Sequence, residues 1–293
     1  MSEPKFLTTR EVAELLRLGE RKVYDLASND ELPVSRVGGK LLFPRQLIEQ
    51  WIYNSVTWSQ GAQTGLPRPV VISGSHDPLL DWALRASGSE IATFFDGSAD
   101  GLQRLAAGKA IGAGTHLPPI DDGNVRALRL YAPGAPIVLI EWARRQQGLI
   151  VKPDAESRYR SLDALRGQPV VTRQPGAGSR RLFDDLLSER GIDREEIVWT
   201  SESARTESDV AMAVASGEAV AGFAIESVAR QMKLGFIPLT EERYDLAIWR
   251  AAYFEPPMQR LWQFCATDTF NERAKVLGGY RMDGFGTVHF NGP

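Results

Sequence analysis

The stretch from Thr8 to Leu26, Thr-Thr-Arg-Glu-Val-Ala-Glu-Leu-Leu-Arg-Leu-Gly-Glu-Arg-Lys-Val-Tyr-Asp-Leu, leaves little freedom in local structure. Thr8 followed three residues on by Glu11 is a capping-box start, each side chain accepting from the other's backbone N–H. Val12, Leu15 and Leu16 then recur at helical spacing and give that helix an apolar face. Gly19 is the expected turn. A second helix over 20–28 buries Val23 and Leu26, while Arg21, Lys22 and Tyr24 reach outward. The pattern is a helix-turn-helix, with an ordinary helical hairpin as the alternative on this stretch alone.

The next residues favour the first reading. Val34 to Phe43 is two short strands around Gly38-Gly39, a strong hairpin signal and a candidate wing. Pro44 suits the first position of a third helix, whose buried stripe is Leu47, Ile48, Trp51 and Ile52. On the Thr-Thr-Arg-Glu-Val-Ala-Glu-Leu-Leu start and the Arg-Val-Gly-Gly-Lys wing, about residues 5–55 resemble the excisionase/MerR-like winged helix-turn-helix family. The resemblance implies binding to a double-stranded DNA operator.

Charge must be read by distribution, because the net charge of the 293-residue chain is −3. Within 1–60, Lys5, Arg10, Arg17, Arg21, Lys22, Arg36, Lys40 and Arg45 are matched one for one by acids. Arg21, Lys22, Tyr24, Arg36, Lys40 and Arg45 lie on the second helix, the wing and the start of the third helix, the parts such a fold turns toward phosphates. A solvated basic face is the alternative. So few contacts imply weak binding by one copy, and a homodimer on a two-fold operator is expected.

Length and a hydrophobic fraction of 43% fit two globular domains. The amino terminus has no apolar signal region and no run approaches the roughly eighteen apolar residues that span a bilayer, so no membrane role and a cytoplasmic location are expected. The single cysteine, Cys265, excludes an intrachain disulfide and is read as helix packing. The expected division is a DNA-binding domain over 1–57, a linker over 58–68 and a ligand-sensing domain over 69–293.

From Pro69 onward short apolar runs alternate with amphipathic stretches: strands at 70–73, 92–95, 110–114, 137–142, 148–151, 170–172, 197–200, 220–225, 236–239 and 246–249, with helices between. Arg144 to Gln147 reads as a polar connection between two strands, and 257–277 as one long helical stretch. The alternation argues an α/β fold with parallel strands. The joints Gly74-Ser75-His76-Asp77, Asp96-Gly97-Ser98-Ala99, Gly114-Thr115-His116, Gln174 to Ser179 and Arg205-Thr206-Glu207-Ser208 all follow strands. Gathered along one edge, they form an anion seat built on helix amino termini. Each Ser or Thr taken singly is as well read as a helix cap. The 175–179 loop lacks the lysine of a Walker loop; its two glycines allow close approach, and Ser179 can both cap the helix and donate.

On Gly74 to Leu80, Phe94 to Ser98, Arg173 to Ser179 and Ala204 to Glu207, residues 69–293 resemble the periplasmic molybdate-binding proteins, a two-lobed type II binding-protein fold, as joined to a helix-turn-helix in a bacterial regulator family. The resemblance implies hydroxyl donors Ser75 and Ser98 from one lobe, and backbone donors around Gly178-Ser179 and Thr206-Glu207 from the other. Ile225 stands where those binders carry a tyrosine, so either Arg205 or His116, next to Thr115, substitutes for the missing donor or the ligand differs from theirs. The expected effector is a small oxyanion, molybdate or tungstate first, with no cofactor. Both are unprotonated at neutral pH and suit a site made only of donors. Hydrogenphosphate would also need an acceptor, and an organic carboxylate is the further alternative.

No catalytic motif competes. Ser75, His76 and Asp77 are adjacent and cannot form a triad with one another, and no Gly-x-Ser-x-Gly elbow occurs. His76, His116 and His289 lack metal-ligand spacing and read as hydrogen-bonding loop or surface residues. Glu141-Trp142 read as interlobe residues and Asp184-Asp185 as helix surface. The sequence thus points to a non-enzymatic, ligand-sensing transcriptional regulator, with an organic-ligand sensor, a solute-binding protein or an enzyme on the same scaffold as alternatives.

Overall fold

The structure is a computed structural model that describes residues 4–29, 31–54, 68–119 and 121–293. Of the expected linker, all but Arg68 lies outside the described residues. The chain divides into two compact units, Met1–Gln63 and Thr64–Pro293.

The first unit runs β1 (Phe6–Leu7), α1 (Thr9–Leu16), α2 (Glu20–Ser28), β2 (Ser35–Val37), β3 (Lys40–Pro44) and α3 (Arg45–Asn54). The capping box forms: the Glu11 carboxylate accepts from the Thr8 N–H at 2.7 Å, and the Glu11 N–H donates back to the Thr8 hydroxyl. The bend between the helices is made by Arg17 in the left-handed region (φ 52°), whereas Gly19 is extended. Leu18 N–H reaches back to Ala13 O, closing a Schellman-type end that leaves Gly19 only to start α2. Gly38 and Gly39 both have positive φ (56° and 78°), the pair a two-residue type I′ hairpin turn requires.

Leu7, Val12, Val23, Leu26, Phe43 and Ile48 fill this unit's core. Leu15 and Leu47 are exposed, against expectation. The inward arc of α1 is centred on Thr9, Val12, Ala13 and Leu16, which leaves Leu15 at its edge; Leu47 stands in the same relation to Ile48, Trp51 and Ile52. Pro44 ends β3 rather than opening α3, and β1 adds an unforeseen third strand to the wing by pairing with β3.

The second unit continues β4 (Val71–Gly74), α4 (Pro78–Ala86), β5 (Ala92–Phe95), α5 (Ser98–Ala106), β6 (Gly112–Thr115), α6 (Gly123–Tyr131) and β7 (Ile137–Val151). Then follow β8 (Pro169–Val171), α7 (Gly178–Glu189), β9 (Val198–Trp199), α8 (Glu207–Ser216), β10 (Ala221–Ile225), α9 (Glu226–Gln231) and β11 (Gly235–Trp249). The chain ends with α10 (Arg250–Tyr253), α11 (Pro256–Cys265), α12 (Asp268–Leu277), β12 (Tyr280–Arg281) and β13 (Val288–Asn291). The sheet order is β5-β4-β6-β11-β7-β10-β8-β9, with β12 and β13 also on β7.

The expected parallel strands are only part of this sheet. β4, β5 and β6 are parallel in one lobe and β8, β9 and β10 in the other, but the centre is the antiparallel pair β7 and β11. Each is one strand of 15 residues where two shorter ones were expected. Their outer halves lie in the core of the first lobe and their tips in that of the second, so the polar middle is the crossing between lobes. The long carboxyl-terminal helix breaks at Ala266, and Thr267 caps α12. Trp142 belongs to the first lobe, packed among Trp262, Phe270 and Phe285. Cys265 is buried in α11. No helix among the described residues is long and apolar enough to cross a membrane.

Candidate functional site

In the first unit Arg21, Lys22, Tyr24 and Lys40 are exposed on α2 and the wing. Arg36 is exposed as well and Arg45 half-buried, and both also make contacts within the unit. Arg36 donates to Ala27 O at 2.8 Å and ties the wing to the end of α2; Arg45 reaches Pro4 O and lies 3.6 Å from Glu49.

In the second unit the joints after β4, β5, β6 and β8 and the loop before α8 come together between the lobes. Capping falls to Asp77 on α4 and Thr206 on α8. Gly97 and Ala177 precede α5 and α7, so Ser98 and Ser179 sit inside the first turn, and Ser179 is not the cap expected of it. Both serines are fully buried.

His116 links three elements. Its N–H donates to Ser98 Oγ at 3.1 Å, its Nε2 is 2.8 Å from Ser75 Oγ, and its Nδ1 is 2.7 Å from a Glu242 carboxylate oxygen. Gly178 closes against it from the other lobe: a Cβ there would lie 2.1 Å from His116 O. Ser179 Oγ accepts from Arg173, whose guanidinium also donates to Ala204 O and Arg205 O and lies 3.6 Å from Glu207. The other Glu207 oxygen accepts the Ile225 N–H at 2.8 Å, while the Ile225 side chain is buried in the second lobe's core.

Ser75, Ser98, His116, Gly178, Ser179 and Glu207 thus meet across the cleft. Thr115 bonds to Asn124, Thr206 is occupied as a cap, and Arg205 stands exposed at the mouth, 3.9 Å from Asp96. Of the other histidines, His76 packs edge-on to Phe95 and His289 bonds the buried Glu141 carboxylate at 2.7 Å. No cluster of potential metal ligands occurs among the described residues.

The floor of the cleft was not foreseen. Arg145, one residue in from Arg144 on β7, donates to Asp77 at 3.0 Å and to Glu242 on β11, and lies over the Tyr244 ring at 4.3 Å. Asp77 also accepts from Trp142 and Tyr280. Burial opposes ionisation of Glu242, but Arg145 and His116 outweigh it and hold the carboxyl at about 2. Burial also opposes the charge of Arg145; Glu242 and Asp77 more than compensate and raise its pKa. Arg173 is shifted the other way, downward by burial. A signal for this floor exists in the sequence: Arg144-Arg145 and Glu241-Glu242-Arg243 are complementary charged runs, each set between apolar runs.

The closed cleft leaves a cavity of about 10 Å³ beside His116, Gly178 and Glu242, no more than a water needs. Nearer the mouth a groove of about 610 Å³ opens between Pro118, Arg126 and Tyr131 on one side and Gly176, Arg180 and Arg181 on the other. Within the described cleft, then, buried ionic groups are engaged with one another and a two-strand hinge joins the walls.

Comparison with known proteins agrees with this architecture. The uncharacterized protein YvgK of Bacillus subtilis is 24% identical over 306 aligned positions, covering 98% of this chain and 99% of that one. An uncharacterized Clostridium pasteurianum protein from the 5′ region of a 2Fe-2S ferredoxin gene is 31% identical over 108 residues, 36% of this chain and 96% of that one. Among solved structures, an OxyR cysteine mutant of Corynebacterium glutamicum with bound H2O2 superposes with a TM-score of 0.52 at 14% identity, over 92% of this chain and 90% of that one. A putative phosphate ABC transporter substrate-binding protein of Clostridium perfringens with bound phosphate gives 0.51 at 14% identity, over 72% and 97%. At such identities the likeness is one of fold. Residues 6–54 match the family described as helix-turn-helix domain, and residues 82–266 match the family described as PBP superfamily domain. The chain therefore belongs to the PBP superfamily domain family, carrying its two-lobed binding domain behind an amino-terminal helix-turn-helix.

Proposed function

We propose that the chain is a ligand-responsive, DNA-binding transcriptional regulator that acts as a homodimer. The observation that carries the reading is the union, in one chain, of a winged helix-turn-helix with a cleft whose walls are joined by β7 and β11. A ligand that bridges the walls favours one lobe arrangement, and its differential affinity for the two arrangements is the free energy available to alter operator affinity. The effector proposed is a small molecule with an oxyanionic group, met by Ser98, Ser179 and Arg173. Molybdate and tungstate are the inorganic candidates and an organic carboxylate the alternative.

The test is selection of a bound duplex from a random pool by the full chain, then titration of that duplex with and without molybdate, tungstate and organic acids. A preferred sequence whose affinity changes about fivefold or more with one effector supports the reading. Absence of any preferred duplex refutes it.

A second reading draws on one observation: Ser75, His116 and Glu242 stand in the order nucleophile, base, carboxylate, at 2.8 and 2.7 Å. Against it, Ser75 is buried, with 4% of its surface exposed. A fluorophosphonate probe should leave Ser75 unlabelled; labelling would establish a hydrolase.

A further inference from the structure

The polar atoms that the fold leaves without partners describe the molecule that completes them. By hydrogen-bond distance neither end of the Gln147 side-chain amide is satisfied, although it stands near enough to the Glu242 carboxylate to help lower its pKa; one oxygen of Glu207 likewise has no hydrogen bond and only faces the Arg173 guanidinium at 3.6 Å. Both residues are almost wholly buried, Gln147 at 0% and Glu207 at 2% exposure. They are neighbours: Gln147 pairs with Ile225 across β7 and β10, and the Ile225 N–H is bonded to the partnered oxygen of Glu207. A buried acceptor left without a hydrogen bond is costly, more so when charged, and a donor placed between the Glu207 oxygen and the Gln147 carbonyl would satisfy both.

Ser98 and Ser179 each accept from the protein, from the His116 N–H and Arg173, and each keeps a hydroxyl proton to donate.

Charge agrees. The buried ionic groups of the cleft are Arg145, Arg173 and Arg243 against Asp77, Glu207, Glu242 and Asp245, with His116 between them. A bare dianion would bring two negative charges with no countercharge of its own, and would offer no donor to the Glu207 oxygen.

We infer that the cleft takes a small zwitterion, an organic acid bearing an ammonium group, its carboxylate held by Ser98 and Ser179 and its ammonium by Glu207 and Gln147. This rests on the reading of the two-lobed unit as an effector domain, and it selects the organic branch of that reading. Entry requires the lobes to part, since the closed cleft has room only for water.

The experiment is a thermal-shift screen of the full chain against the twenty proteinogenic amino acids, with molybdate, tungstate and sulfate alongside, followed by calorimetric titration of each stabilising compound. At least one amino acid should stabilise the wild-type chain, with no shift from the three dianions. Glu207→Gln removes the charge, keeps the shape and keeps an oxygen for the Ile225 N–H; it should weaken amino-acid binding about tenfold or more. Gln147→Met, an apolar replacement of similar length, should weaken it too while raising the melting temperature of the ligand-free chain. Binding of a dianion that Glu207→Gln preserves or strengthens would overturn the zwitterion and leave the regulator standing. No shift with any of the twenty would overturn it as well. Loss of sequence-selective duplex binding, read separately on the same preparation, would instead count against the regulator.

Discussion

Arg145 and Glu242 face each other as a register pair of β7 and β11, and their side chains meet at that same level. Arg145 also serves Asp77, so one buried guanidinium is shared by two carboxylates from different elements. Arg145→Met should destabilise the chain by about 3–5 kcal/mol, because both buried carboxylates lose their guanidinium, leaving Asp77 with the Trp142 and Tyr280 donors and Glu242 with His116. Chemical denaturation measures it, and adding Glu242→Gln should recover part of the loss. An unchanged midpoint in the single variant would show the pair to be energetically idle.

The same pair sets an acid limit. Glu242 is held at about 2 in the folded chain against an ordinary 4.5. A depressed carboxyl contributes stability above its unfolded pKa, and that contribution is lost as pH falls through the folded value. The loss should fall between about pH 4.5 and 2, and urea midpoints across that range should decline less steeply for Glu242→Gln than for the wild type.

Gly178→Ala places a methyl group against the His116 carbonyl of the opposite lobe. Alanine favours the helix locally by about 1 kcal/mol, so the fold should survive while full closure does not. Solution scattering should report a larger radius of gyration for the variant under conditions that close the wild type. Identical profiles would mean that the cleft does not close there.

On the DNA side, Arg21→Ala with Lys22→Ala should weaken binding of the selected duplex and flatten the salt dependence by about two contacts' worth. Effector affinity should not change. Arg45→Ala should act differently, lowering the stability of the first unit, because Arg45 is tied to Pro4 and Glu49. A salt slope unaltered in the double variant would remove α2 from the interface.

What could be read from the sequence alone follows from how local each cause is. The capping box at Thr8 and Glu11, the Gly38-Gly39 turn and the alternation of strand and helix in the second unit are set by neighbours in the chain, and they appear where residue pattern puts them. The cleft residues Ser75, Ser98, His116 and Ser179 were marked by their place after strands. Arg145, Gln147 and Glu242 were not, because polar residues inside a strand read as a loop until the partner strand is known. The helices at α6 and α9 and the carboxyl-terminal strands are short and weakly patterned, and their stability comes from packing on the sheet. Exposure of Leu15 and Leu47 reflects the narrow arc that a small three-helix unit can bury.

In the path of the chain, β7 and β11 form a hairpin whose tip, Val151 opposite Gly235, is closed by the entire second lobe. A turn of ordinary length brings its two strands together quickly and dictates which residues pair. This one does neither, since the entropy of closing so long a loop must be met before the first pair forms. Folding of this unit is therefore expected to wait on that late zippering. The complementary charges at the strand middles are what can distinguish the correct alignment from one slipped by a residue, which would turn Arg145 and Gln147 away from the cleft.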